Sequence, residues 1–144
     1  MKQEFIDLGL PSGTLWAKHN AHIGKKYYFT YDKAIEHFSD CMPDRYQYKE
    51  LLILCKWKWI KLFGGKVQGY RVTGPNHNSI FLPASGCHID TSLRYHGSYG
   101  YYWSSRSYDS SGACLFFFGS GGHSMDYLNR SYGFPIRLIK HKSI

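Results

Sequence analysis

No stretch of this chain is apolar for long enough to cross a bilayer, and its opening, MKQEFIDLGL, has no run of signal-peptide length. The expectation is a chain made in the cytoplasm and not inserted in a membrane. Display on a phage virion or on another protein stays open, since particles released by lysis need no signal. Cys41, Cys55, Cys87 and Cys114 form no CxxC pair and keep no regular spacing with histidine. That argues against zinc, and the thiols are expected to be reduced and buried. Runs of basic residues are also missing. The net charge is +8, but residues 1–66 carry 11 Lys/Arg against 7 acids and residues 67–144 carry 7 against 3, so each half nets +4. Charge spread this evenly reads as a solvated surface, not a nucleic-acid footprint.

The signatures of catalysis are absent as well. Ser104-Ser105 lack a GxSxG context, and no HExxH, P-loop or dinucleotide fingerprint occurs. Only Asp90, Asp109 and Asp126 follow Glu50 as acids, among Ser, Tyr and Gly, where a solvated or ligand-facing role is expected over a tuned acid/base pair. His88, His96 and His123 show no paired spacing for a metal. The expectation is a non-enzyme without cofactor or metal.

From Val67 to Ile139 there is neither lysine nor glutamate, and what stands in their place is aromatic. Tyr95–Phe134 holds seven of the 13 tyrosines, interleaved with Ser and Gly. Tyrosine gives a large amphipathic contact with two torsions to freeze, and Ser, Gly and Asn give adaptable hydrogen bonding, the composition of a binding face. A Tyr-rich sheet with Gly/Ser turns would have the same composition.

Hydrophobic content of 43% and charged content of 19% describe a folded globule, and 144 residues suffice for one domain. Phe5, Ile6 and Leu8, then Thr14–Ala17, read as short strands around a Gly-Leu-Pro-Ser-Gly turn. Asp32–Phe38 reads as a short helix. Asp44 and Gln47 form a capping box before Tyr48, Leu51, Leu52 and Cys55, an i, i+3, i+4, i+7 stripe. Lys56–Lys61 alternates Lys and Trp as a half-buried strand. Tyr70–Thr73 and Ser79–Leu82 form a hairpin about a five-residue loop. Tyr101–Ser105, Ala113–Phe118, Ser124–Leu128 and Phe134–Ile139 are the later strand candidates. Helices first and strands after predict an α+β layout with both helices gathered against one antiparallel sheet.

The segments IDLGLPSGTLWA (Ile6–Ala17), VTGPNHNSIFLPASG (Val72–Gly86), GYYWSS (Gly100–Ser105) and NRSYGFPIRLI (Asn129–Ile139) resemble a gut-bacterial and phage family of small modules. That family is similar to the major paralogous domain proteins and to the C-type-lectin-fold variable proteins of diversity-generating retroelements. The resemblance implies a C-type-lectin-like α+β fold over residues 1–144, with 1–86 as scaffold carrying both helices and 87–144 as loop-rich ligand face. It also implies that adenine mutagenesis scatters Tyr, Ser, Asp, His, Asn, Gly, Phe, Leu and Arg over fixed positions. The residues that fall between framework motifs and belong to that set are His88, Asp90, Arg94, Tyr95, Tyr99, Tyr101, Arg106, Tyr108, Asp109, Leu115, Phe117, Ser124, Asp126, Tyr127, Leu128, Ser131, Tyr132 and Phe134. Trp103, Met125 and Lys140 would be framework.

Both faces of Ala113–Phe118 are apolar, so alternation alone does not choose the core side. The resemblance assigns Phe116, Phe118 and Met125 inward, with Leu115 and Phe117 exposed and Ser124 and Asp126 toward ligand. Gly74-Pro75-Asn76 and Trp103-Ser104-Ser105 lack the paired calcium ligands of sugar-binding C-type lectins. The expected partner is a protein or cell-surface receptor. A glycan or glycosaminoglycan is the alternative. A formylglycine-generating type of enzyme, which would draw on Cys87 and Cys114, is the weaker one.

Overall fold

The computed structural model describes residues 3–142. Its local structure follows the sequence signals closely in the first half. Helix α1 (Tyr31–Phe38) starts where the Thr30 hydroxyl accepts the Lys33 N–H. Helix α2 (Arg45–Leu54) starts at a complete capping box: the Asp44 carboxylate accepts the Gln47 N–H at 2.9 Å, and the Gln47 side chain accepts the Asp44 N–H at 2.8 Å. Tyr48, Leu51 and Cys55 are buried on the predicted stripe.

Strands β1 (Phe5–Ile6) and β2 (Thr14–Ala17) open the chain, and β3 (Lys56–Leu62), β4 (Val67–Thr73) and β5 (Ser79–Pro83) form an antiparallel sheet after α2. Thr73 pairs with Ser79 across the expected five-residue loop. That loop is latched to the amino-terminal segment, because the Asn76 and Asn78 side chains both donate to the Asp7 carbonyl, at 2.8 and 2.9 Å. The Ser12 hydroxyl and N–H reach the Glu50 carboxylate, fastening the first turn to α2. Two of the motifs quoted above are therefore structural latches.

A small hairpin, β6 (Cys87–Ile89) and β7 (Ser92–Arg94), leads to a meander of three long strands: β8 (Gly100–Ser107), β9 (Gly112–Gly119) and β10 (Gly122–Asn129), in the order β10-β9-β8. β11 (Ile139–His141) returns to pair with β2. The predicted strand Phe134–Ile139 is mostly irregular. Its carbonyls serve different partners in turn, accepting from Phe29, Trp103, Ala21 and Ala17, so no single neighbour lines it up as a strand.

The β8–β10 sheet divides two cores. Tyr102, Phe116 and Phe118 project into the first, with α2, β3, β4 and β5; Tyr101, Trp103, Ala113 and Leu115 project into the second, with α1 and Phe134. The helices lie on opposite faces. Tyr48 of α2 stacks on Phe116 at 4.9 Å, whereas Tyr31 of α1 meets Trp103 edge-on at 5.4 Å. Gly100 allows the first of these cores to close, because a Cβ there would overlap the Phe118 ring.

This corrects the expected fold class. The chain is mostly β, with 46% of its residues in strands and 17% helical, and its eleven described strands form four small sheets. It is not an α+β, C-type-lectin-like arrangement of two helices packed on one sheet. The physical reason is the continuous apolar run of β9. A strand buried on both faces needs cover on both, and one helix goes to each side.

The phenols of Tyr48, Tyr101 and Tyr102 all have raised pKa values, chiefly from burial. The unfolded chain loses these protons near the ordinary phenol value of 10.0, while the folded chain holds them above it. Stability should thus be complete below about pH 10 and fall as pH rises beyond it. In an alkaline titration these three tyrosinate absorbances are expected to appear late, together with loss of the fold. Their appearance in a folded protein near pH 10 would contradict the packing.

Candidate functional site

The meander ends in an edge. All eight residues of β10 are exposed, although β9, its neighbour, is buried along nearly its whole length. Pairing sets which side each residue occupies. His123, Met125 and Tyr127 lie opposite Phe118, Phe116 and Cys114; Ser124, Asp126 and Leu128 lie opposite Phe117, Leu115 and Ala113. Aromatic groups gather on both flanks of this edge.

On the α2 side, Tyr127 stacks on Tyr108 with ring centroids 3.9 Å apart and planes 8° from parallel. The two rings wall a groove of about 290 Å³ that also takes in Arg106, Arg45, Cys114 and Asp126. Arg45 sits at the start of α2 and donates to the Tyr46 hydroxyl at 3.0 Å, which lowers that phenol's pKa. The pKa of Tyr108 is raised, first by its hydrogen bond with Tyr127. The groove offers two cations, two phenols and one carboxylate at the surface of a fixed sheet. Such a set can pair with carboxylates and stack on rings.

On the opposite side the rings run in a row. Tyr95 lies 5.5 Å from Tyr99, Tyr99 5.2 Å from Phe117, Phe117 5.1 Å from Tyr101, and Tyr101 5.1 Å from Phe134. Exposure falls along it: Tyr95 and Tyr99 stand in water, Phe117 and Tyr132 are half-buried, and Tyr101 and Phe134 are core. The loop between β8 and β9 is fixed by Arg130, which donates to Asp32 at 2.9 Å, to the Ser107 hydroxyl at 2.8 Å and to the Asp109 carbonyl at 2.7 Å. Its guanidinium also lies over the Tyr31 ring. That clamp ties the rim carrying Tyr108 to α1.

A family model described as "Domain of unknown function (DUF8237)" matches residues 66–139, just over half of the chain. The chain belongs to the DUF8237 family. The matched region begins at β4 and ends as β11 starts, so it contains the whole β8–β10 meander and every predicted site residue. No curated protein and no solved structure matches the chain.

Within the DUF8237 region the predicted site residues divide. Asp90, Arg94, Tyr95, Tyr99, Arg106, Tyr108, Ser124, Asp126, Tyr127 and Leu128 are exposed. Asp109 and Ser131 are exposed too, but they are turn-formers: the Asp109 carboxylate accepts the Ser111 and Gly112 N–H groups, which lower its pKa, and Ser131 bonds Asn129. His88 stacks on Tyr28 at 4.2 Å and is half-buried. Three positions cannot meet a ligand without unfolding: Tyr101 is 7% exposed, and Leu115 and Phe134 are 0%. Leu115 is therefore inward like Phe116, contrary to expectation, and Phe117 is only half-exposed. Met125 is outward, at 36%, because nothing covers the edge beyond Phe116. Sequence reading missed Arg45, Tyr46 and Arg130. Arg45 and Tyr46 follow the Asp44 cap, where any residue at the exposed start of a helix would fit, and nothing in the spacing links them to residues 106–127.

The remaining candidates for chemistry do not converge. Cys87 is in the second core, with its pKa raised by burial, whereas Cys114 lines the groove on the other face. Asn76 is committed to the Asp7 carbonyl. Among the described residues, no group of three His, Cys, Asp or Glu side chains is placed to hold a metal ion.

Proposed function

We propose that this protein is a binding module that performs no reaction, and that its partner is a protein or a cell-surface receptor engaged along the flanks of β10. The observation that carries this is the set of exposed phenols around the rim of a sheet whose inner strands are buried from both sides. Tyr95, Tyr99, Tyr108 and Tyr127 are 39–54% exposed, on the exposed strand β10 and in the loops that flank β8, while β8 and β9 beside them are anchored in two cores. Rigid aromatic rings held in water lose little conformational entropy when covered, and such residues dominate binding energy where they fill a central pocket. The same reading makes residues 88–134 the target of a diversity-generating retroelement. A reverse transcriptase gene and an imperfect template copy beside this gene are the observations expected of it.

The test uses Tyr108→Ala combined with Tyr127→Ala. Neither ring belongs to a core, so the melting temperature should stay within about 2 °C of the parent. Binding of the labelled chain to gut bacterial cells, followed by flow cytometry, should fall at least about tenfold, the effect of losing one anchor worth roughly 1.4 kcal/mol or more. Protease treatment of the cells should remove it. Binding that survives protease but weakens steeply with added salt would indicate an anionic glycan instead. Undiminished binding by the double variant would refute the assignment of the surface.

A further inference from the structure

A second concavity lies away from β10, on the outer face of the β3–β4–β5 sheet, and has a volume of about 790 Å³. Small-molecule sites typically occupy roughly 300–1,000 Å³. Strand alternation builds it. Trp57, Trp59, Tyr70 and Leu82 turn into the first core, which leaves Ile60, Leu62, Val67 and Phe81 on the outside. In the row Ile60–Gly69–Pro83 the middle strand contributes a glycine, which lets the β5 backbone approach closely, since a Cβ there would overlap the Leu82 carbonyl. The loop carrying Lys18, His19, His22 and Tyr27 forms the facing wall.

Every lining side chain that carries charge is basic, and no carboxylate lines the cleft. Lys18 is partly offset by Glu4, 3.4 Å away. Arg71 is exposed and has no ion-pair partner among the described residues; it lies directly across from Phe81 in the sheet register. Arg137 is buried, and its bonds run to Asn20 and to carbonyl groups, with no carboxylate among them. The apolar floor is thus overlaid by positive charge that nothing in the cleft neutralises. Phe63 lines the same cleft on a backbone at φ 54°, a left-handed conformation unusual for a bulky residue, and leaves its side chain 77% exposed. A strained turn holding an apolar ring in water is a feature that ligand clamps share.

We propose that this cleft binds a small amphipathic anion, with its apolar chain or ring over Ile60, Leu62 and Phe81 and its anionic head at Arg71. The site is independent of the surface around β10, and neither stands or falls with the other. Calorimetric titration with decanoate, and with decyltrimethylammonium as a probe of equal tail and opposite charge, tests it. Decanoate should bind saturably at one site, about tenfold or more tighter than the cation. Arg71→Glu should remove that preference, and Phe63→Ser should weaken both probes while leaving the melting temperature unchanged. Tyr108→Ala with Tyr127→Ala should leave decanoate binding intact. If Arg71→Glu melts early, Arg71→Ala gives the same reading with a smaller loss. Absent or unsaturable decanoate binding, equal binding of the two probes, or indifference to both Arg71 variants would overturn the proposal.

Discussion

Leu115→Asp is expected to abolish the native state, while Met125→Asp, on the strand alongside, is expected to leave the protein folded. The resemblance implied the reverse placement, with Leu115 exposed and Met125 inward. Leu115 is fully buried in the second core. Losing its side chain costs about 2–5 kcal/mol in transfer and cavity terms, and a carboxyl left there without a partner adds several more. A domain of ordinary stability has only about 5–15 kcal/mol in total. Its partner across the ladder is Asp126, so a second carboxylate would also meet like charge. Met125 projects from an uncovered edge, and aspartate there stays in water. Circular dichroism melts decide it. A cooperative transition for Leu115→Asp near the parental temperature would mean that the sheet is not buried on that face.

That contrast shows where the sequence stops being informative. Alternation reveals a core face only when the other face is polar, as in β3, where Lys56 and Lys58 mark the outside and Trp57 and Trp59 the inside. β9 has apolar residues on both sides, and the pattern carries no preference. The correct inference from Ala113–Phe118 was a strand buried twice over, and with it a second core. The wrong fold class came from the order of elements, helices first and strands after, which says nothing about which face of the sheet each helix covers or how many small sheets the strands form. Capping, hairpin length and the stripe of α2 were legible because each depends on residues near one another in sequence.

The candidate site was legible to the same extent. Composition marked Tyr95–Phe134, and the exposed phenols fall inside it. The spacing could not separate Tyr99 from Tyr101, two residues apart on the same row of rings, one in water and the other in the core. Nor could it find Arg45, which reaches the Tyr108–Tyr127 groove from about sixty residues away because α2 packs on Phe116. The same limit bears on variation. If residues 88–134 are diversified, Leu115 and Phe134 must keep apolar bulk, and only their exposed neighbours are free to change.

Arg137 carries the other large effect. It is 1% exposed, and its five N–H groups are all used: Nε and Nη2 donate to the Asn20 amide oxygen, Nη1 to the Ala17 and Lys18 carbonyls, and Nη2 to the Phe81 carbonyl. One guanidinium thereby joins β5, the segment after β2 and the irregular strip between Phe134 and β11. Burial lowers its pKa, yet arginine keeps its charge in proteins. Arg137→Met preserves much of the volume but strands four acceptor groups, at about 1 kcal/mol or more apiece, so a loss of roughly 3–5 kcal/mol is expected from urea denaturation. Arg137→Lys should cost less than Met but more than Asn20→Ala, because three ammonium donors cannot reproduce a planar fork aimed at separate carbonyls. If Arg137→Met were instead as stable as the parent, the buried cation would be dispensable to the fold, as replacement of some buried ion pairs has been. Its position beneath the basic cleft would then be the better explanation for a charge held there without a counter-ion.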